Sequence, residues 1–538
     1  METKTREKAT EPVKLQLTNA AAAPGILTAV GMNEIALSRM IFFLAMGVGT
    51  FLRIWQINAN GFNTDEAVYA GQAAAISGVS GLKDIFPIFR AHPLLVQFIL
   101  SLIYRIHFSD LAGRLLAVVI GLGTVYLTYL IGRALYGRLA GSLAAAILAV
   151  MPYHVVVSRQ FLLDGPMVFF ATLTLYMLVR FGKSHKGVWL YAAGVTMGLT
   201  FLSKETSIIL MAGIYIFLAL SPEVHVRLRD LFISTIMAAL VILPFPLTLM
   251  LAGGTNTGRN YLTWQLFRRP NHPWYFYLQV IPPALGILTL VIAILGLVLL
   301  WRERSWREKL LLSWIFVPIA FFQLWPVKGY QYLLPIAPVV ALLAGGFLGR
   351  ILTRVPNLRI SGRAPIYLSI PPVVSWLVVG VLAVSLSAAS WQRILPETSS
   401  IFLAGTGGVP GGREAGDWIQ QNVPEGATFL TIGPSMANIV EFYGQRKAYG
   451  LSVSPNPLRR NPSYEPIINP DAQIRNSDLQ YLVWDSFSAA RSQFFSDKLL
   501  GYVNKYNGRV VHTESINIVD SKGNPVTQPV IIIYEVHP

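Results

Sequence analysis

The chain has no cysteine, which excludes a disulfide framework and any thiolate metal site. Charge is scarce as well: only 13% of its 538 residues are Asp, Glu, Lys or Arg, about half the usual share for a soluble domain. No P-loop and no Rossmann glycine fingerprint occurs, so a nucleotide donor has no support. Neither an internal repeat nor a low-complexity tract is present beyond an Ala- and Lys-rich N-terminus.

What fills the chain instead is apolar. Hydrophobic residues make up 53% and the mean hydropathy is +0.51, values that belong to a bilayer protein. Uncharged runs such as 231–254 and 277–301 exceed the roughly 20 residues that cross about 30 Å of hydrocarbon. The formal net charge of +16 lies in short clusters between such runs, which reads as a topology signal and not as a nucleic-acid surface. The polar tail 1–36 precedes the first long run, so that run is expected to be a retained helix and not a cleaved signal peptide.

Twelve apolar segments fall near 38–57, 93–108, 113–135, 138–157, 165–181, 187–203, 206–220, 230–252, 276–301, 310–327, 330–349 and 366–390. Basic clusters at Arg133/Arg138, Arg180/Lys183/Lys186, Arg227/Arg229, Arg302–Lys309 and Arg350–Arg363 should be cytoplasmic, as should the N-terminal tail. All can be so only if one segment before residue 112 does not cross. Segment 93–108 is short, starts at His92-Pro93 and repeats Gln97, Ser101, Tyr104 and Arg105 at helical spacing, as an interfacial helix does. About eleven crossings remain, with the N-terminus inside and the C-terminus outside.

The expected organisation is a cytoplasmic tail (1–37), a membrane domain (38–393) with a first external loop at 58–112, and an extracytoplasmic domain (394–538). In the last, β-type runs such as "ATFLTIG", "LQYLVWDSF", "GRVVHT" and "PVIIIYEV" alternate with the amphipathic stretches "GREAGDWIQQNV" and "FFSDKLLGYVNKY". That pattern predicts a small α/β domain.

Parity places the ionisable residues near the outer helix ends on one face. Asp65 and Glu66 in "GFNTDEAVYAG" suit a helix start, with Asn63 and Glu66 at capping-box spacing; a base held there would also be well oriented. Asp164 stands at a second helix start, before Gly165-Pro166. Arg90, His92 and Arg159 are cations at the membrane surface, where snorkelling to lipid headgroups is the competing role. Lys204-Glu205 can pair locally to end a helix, and Lys328 can anchor at the interface with Trp325, Tyr330 and Tyr332. Loop 258–277 combines Arg259, Arg268, Arg269 and His272 with aromatics, as a sugar-phosphate contact or an interfacial helix would. Together they describe a pocket with two carboxylates and several cations beside the lipid. An anionic lipid substrate fits it: the cations stabilise a phosphate leaving group while a carboxylate activates a hydroxyl.

The ordered set "TDEAVYA", "HPLL", "GRLLAVVIGLGTVYLTYLIGRALYGRLAGSLAAAILAVMPYHVVVSRQFLLDGPMVFF", "LTFLSKE" and "KGYQYLLPIAP" resembles the dolichyl-phosphate-mannose protein mannosyltransferase superfamily, including aminoarabinose transferases acting on lipid A. The resemblance covers roughly residues 38–350. It implies a polytopic helical membrane protein of C-type glycosyltransferase fold in the plasma (inner) membrane, with the "HPLL" helix lying at the surface. The implied donor is a polyprenyl-phosphate sugar, and the acceptor is a hydroxyl of protein, lipid or glycan. By the same resemblance Asp65 is the catalytic acid of the first loop with Glu66 beside it, and Asp164 is the second acid. Many relatives carry Pro-Pro at His92-Pro93-Leu94 and a basic residue at Gln331, which moves the expected phosphate contacts to Lys328 or Arg90.

No ligand spacing demands a metal, although the acids could hold a divalent cation. Two other functions fit a polytopic chain, a transporter or flippase of a lipid-linked sugar and a ligand-binding receptor. Charge-free span middles argue against the first, and eleven anchors are excessive for the second. Sugar, acceptor and prenyl chain are not legible in these residues.

Overall fold

The computed structural model describes residues 33–86, 92–251, 264, 268, 270–300, 305–353, 357–358, 366–367, 372–395, 409–461, 464–519 and 525–538. The chain builds a helical bundle followed by a sheet domain.

Six helices in the described residues are long and apolar enough to cross a bilayer: Glu34–Ile54, Asp110–Tyr136, Asp164–Ser184, Leu228–Leu251, Tyr330–Thr353 and Val374–Ile394. A seventh span is a pair, Phe276–Leu285 and Ile287–Val298, bent by 92°. Its break falls at Gly286, whose φ of +85° suits a residue without Cβ. Helices also occupy the other places where crossings were expected, at Arg138–Val150, Gly187–Ser203, Ile209–Leu220 and Trp306–Leu324, but the first three are shorter apolar helices of 10–17 residues. Among the described residues, length and composition therefore mark six or seven spans, fewer than the eleven expected, with the shorter apolar helices making up the difference.

Helix Arg138–Val150 lies at the centre of the bundle, and its small side chains explain why. A Cβ on Gly141 would lie 2.6 Å from the carbonyl oxygen of Tyr129, and one on Gly345 would lie 2.5 Å from the amide of Ala144. Three helices thus meet backbone to backbone, the usual mode where lipid supplies no hydrophobic drive between helices. At one end of the bundle, basic side chains close helix Asp110–Tyr136: Lys183 and Arg307 donate to the carbonyls of Ala134 and Leu135, where cations suit the helix dipole.

Segment 93–108 holds helix Leu95–Tyr104, at 10 residues about 15 Å long and too short to cross. Its polar stripe faces inward. Gln97, Ser101 and Tyr104 are buried, with Gln97 donating to Gln72 at 3.1 Å, whereas Phe98, Leu102 and Ile106 are exposed. Outward apolar residues are what a helix resting in the lipid surface needs.

After residue 408 the chain builds a five-stranded sheet from β1 (Thr428–Thr431), β2 (Lys447–Gly450), β3 (Tyr481–Asp485), β4 (Arg509–Val519) and β5 (Pro525–Glu535). The order is β2-β1-β3-β5-β4, with β1, β2 and β3 parallel and β5 antiparallel to both β3 and β4. Both expected amphipathic stretches form helices, Gly412–Asn422 and Gln493–Lys505. This domain does not hang free. Phe62, Leu82, Phe86 and Leu100 of the first loop share one hydrophobic cluster with Val409, Ile419, Ile439 and Phe442.

Candidate active site

Helix Thr64–Ser77 starts where the sequence places a cap. The Asn63 side chain accepts from the amides of Asp65 and Glu66, at 2.9 and 3.0 Å, and Glu66 Oε2 accepts from the Asn63 amide at 3.1 Å, a complete capping box. The two acids then part company. Glu66 is fully buried and accepts four further bonds: Arg114 Nε and Nη2 donate at 3.0 and 2.9 Å, the Phe161 amide at 2.9 Å and Asn63 Nδ2 at 3.1 Å. A carboxylate so saturated has no lone pair left for substrate. Glu66, expected in the catalytic set, instead fixes the turn that carries Asp65.

Asp65 keeps an accessible side chain, yet protein charges surround it. Lys204, Asp164, His92 and Glu66 all act on its carboxyl; burial in this recess raises its pKa, and Lys204 and His92 oppose the rise. Water that reaches the exposed carboxyl softens the shift.

Two ion pairs stand around it, one buried and one half-buried. Lys204 Nζ donates to both oxygens of Asp164 at 2.8 Å, with both residues buried. His92 Nδ1 lies 2.8 Å from Glu205 Oε2. Lys204 therefore does not pair with its neighbour Glu205; the extended backbone of Lys204 (φ −160°, ψ 121°) turns adjacent side chains to opposite sides, one toward each partner. The Tyr332 ring covers the ammonium of Lys204 at 5.3 Å. Arg268 stacks 4.5 Å above the Trp264 ring and acts electrostatically on Tyr332.

Two expected donor contacts lie elsewhere. Arg159 Nη1 donates to the carbonyls of Leu52 and Arg53, at 2.8 and 3.1 Å, closing the end of the first helix. Lys328 Nζ donates to the carbonyls of Gln323 and Trp325, at 2.8 and 3.2 Å, closing helix Trp306–Leu324. Orphan carbonyls at helix ends draw such cations. Arg90, Arg259 and Arg269 lie outside the described residues. Among the described residues no group of three or more His, Asp and Glu side chains is placed to hold a metal ion.

Sequence reasoning did not foresee three contributors. Arg114 carries no local signal beyond its charge in the first turns of an apolar helix. Arg413 and Tyr443 come from the sheet domain, and with Asp110 they join it to the first loop beside a cleft of about 430 Å³. One signal existed: Arg413 sits in the first turn of its helix, where a cation opposes the dipole and so wants a partner elsewhere.

Residues 91–249 match the dolichyl-phosphate-mannose-protein mannosyltransferase family, and residues 271–398 match the Alg9-like mannosyltransferase family. The candidate mannosyltransferase YkcB of Bacillus subtilis (strain 168) is 30% identical over 156 residues, 28% of this chain and 21% of that protein. The match thus spans about a fifth of that relative's length. ArnT from Cupriavidus metallidurans, in its crystal structure bound to undecaprenyl phosphate, superposes with a TM-score of 0.62 at 13% identity over 95% of this chain and 98% of that one. The oligosaccharyltransferase AglB from Archaeoglobus fulgidus, in complex with an inhibitory peptide and a dolichol-phosphate, superposes with a TM-score of 0.55 at 12% identity over 91% of this chain and 74% of that one. Likeness at these identities establishes the shared fold.

Proposed function

We propose that this chain is a membrane glycosyltransferase that moves a sugar from a polyprenyl-phosphate donor to a hydroxyl acceptor on the external membrane face, with inversion and with Asp65 as general base. The observation that carries the reading is the contrast between neighbours: Glu66 is saturated by protein donors, whereas Asp65, on the same turn, is left accessible amid paired charges. The lipid-phosphate ligands of ArnT and AglB, proteins of the same fold, favour a lipid-linked donor.

In this mechanism the acceptor hydroxyl gives its proton to Asp65 as its oxygen attacks the anomeric carbon, and the bond from that carbon to the phosphate oxygen breaks on the opposite side. A phosphate departs as an anion and needs no general acid. Positive potential must receive it. Lys204 and His92 supply part of that potential but are each matched by an acid, Asp164 and Glu205. The balance is assigned to Arg268, which acts on Tyr332 beside Lys204. Carboxylates beside the recess steady positive charge developing on the sugar ring, as in glycosidase transition states.

The basic clusters between spans support an orientation with this end of the bundle outside and the N-terminus in the cytoplasm; the membrane in this reading is the plasma (inner) membrane. The acceptor is a protein, lipid or glycan hydroxyl.

The test is transfer by the purified full chain in liposomes from a panel of labelled polyprenyl-phosphate sugars, with the anomeric configuration of the product read by NMR. Inverted product supports the single displacement. Retained configuration refutes it.

A further inference from the structure

The segment that feeds Asn63 and Asp65 is residues 57–62, a stretch without a regular ladder, and two arginines hold its backbone from opposite sides. Arg114, from the membrane helix Asp110–Tyr136, donates to the carbonyls of Ile57, Asn60 and Gly61 at 2.8, 2.7 and 2.8 Å. Arg413, from the sheet domain, donates to the carbonyls of Asn58 and Asn60 at 3.0 and 3.2 Å, and to Asn58 Oδ1 at 2.9 Å. It also meets Asp110 Oδ2 at 2.6 Å.

Tyr443 completes the joint. Its hydroxyl accepts from the Phe62 amide at 2.8 Å and donates to Asp110 Oδ2 at 3.0 Å. The Phe62 ring packs 5.1 Å from Phe442 and 6.1 Å from Tyr443, with the Arg114 guanidinium 5.2 Å from its own centroid. The approach is close enough that a Cβ on Gly61 would lie 3.0 Å from Cβ of Arg413.

We propose that Arg413 and Tyr443 are positioning residues for Asp65, so that the C-terminal domain sets the geometry of the reactive turn. The proposal rests on Asp65 being the base. Ordering an irregular segment opposes folding by about 1–2 kcal/mol per residue, and charge-assisted bonds to its carbonyls offset that cost. Three of those bonds come from the membrane domain and two from the sheet domain. Removing the second set leaves the cap of Asn63 attached to a turn held on one side only, and catalytic geometry tolerates little displacement.

The experiment uses the full chain in liposomes as wild type, Tyr443→Phe and Arg413→Lys, with Tyr506→Phe as a control elsewhere in the same domain. Hydrogen exchange is followed in peptides spanning 57–66, and kcat and KM for the donor are measured in parallel. Tyr443→Phe is expected to speed exchange at the Phe62 amide by about fivefold, the scale of one ordinary hydrogen bond, and to lower kcat about tenfold with KM for the donor unchanged. The control should leave both unchanged. Unaltered exchange in both joint variants overturns the proposal, and so does faster exchange with a wild-type kcat. A wild-type protein that transfers no sugar from any donor removes the base role of Asp65 and the catalytic half of the proposal, while the exchange result separately decides whether the domain orders the turn.

Discussion

Lys204 gives two hydrogen bonds of 2.8 Å to the two oxygens of Asp164, and both side chains are buried. The pair ties the end of helix Gly187–Ser203 to the start of helix Asp164–Ser184, and its ammonium is the largest opposite charge felt by Asp65. One contact thus serves the bundle and the site together.

Breaking this pair from one side strands a buried charge. Lys204→Met is expected to destabilise the chain by about 3–5 kcal/mol, and Lys204→Met combined with Asp164→Leu by much less. Thermal unfolding in detergent measures both. A double variant as unstable as the single one would show that the ammonium matters for packing and not for charge.

The reactive carboxyl has a raised pKa, because burial disfavours its charged form more than Lys204 and His92 favour it. A base acts only when deprotonated, so kcat/KM should fall as pH drops through this pKa, at a higher pH than a free carboxylate near 3.9 would give. The stability linkage has the opposite sense: between the unfolded and folded pKa values the native state binds more proton, so stability declines as pH rises. Asp65→Asn is therefore expected to be inactive and more heat-stable than wild type at pH 7. A less stable variant would contradict the assignment of burial as the dominant cause.

Asp485 closes β3 with Oδ1 accepting from the Ser488 amide at 2.7 Å, while Oδ2 is buried without a hydrogen-bond partner among the described residues. Burial pushes its pKa up to about 6 from 3.8. The folded state holds this proton more tightly, so the group's contribution is full below pH 3.8 and is lost as pH rises through about 6. A shift of this size corresponds to about 3 kcal/mol. Exchange protection of β3 amides should fall between pH 4 and 6 and level off above. Flat protection across that window would mean that the carboxyl is charged throughout.

Local features were legible in the sequence because they are set within a few residues. The capping box at Asn63–Glu66, the short surface helix after His92-Pro93 and the alternation of the C-terminal domain all follow from spacing alone. Pairings across the fold were not. Lys204 and Glu205 are adjacent in sequence, yet each finds its partner in another segment, in Asp164 and His92. Arg159 and Lys328 carry the right charge for a phosphate but close helix ends, and only the positions of those carbonyls in space reveal it. Strand β2, four residues from Lys447 to Gly450, carries too few residues to show a period. The span count is not settled by length and composition for a related reason: apolar helices of 10–17 residues can be buried by neighbouring helices as readily as they can cross lipid.

The central claim is that Asp65 accepts the proton of the acceptor. Its most direct test compares sugar transfer by wild type and Asp65→Asn in liposomes, with both proteins matched for insertion and for donor binding. The account predicts that Asp65→Asn binds donor as wild type does and transfers at least 10²-fold more slowly, the scale of general-base catalysis. Transfer at the wild-type rate by the variant would contradict it and remove Asp65 from the reaction.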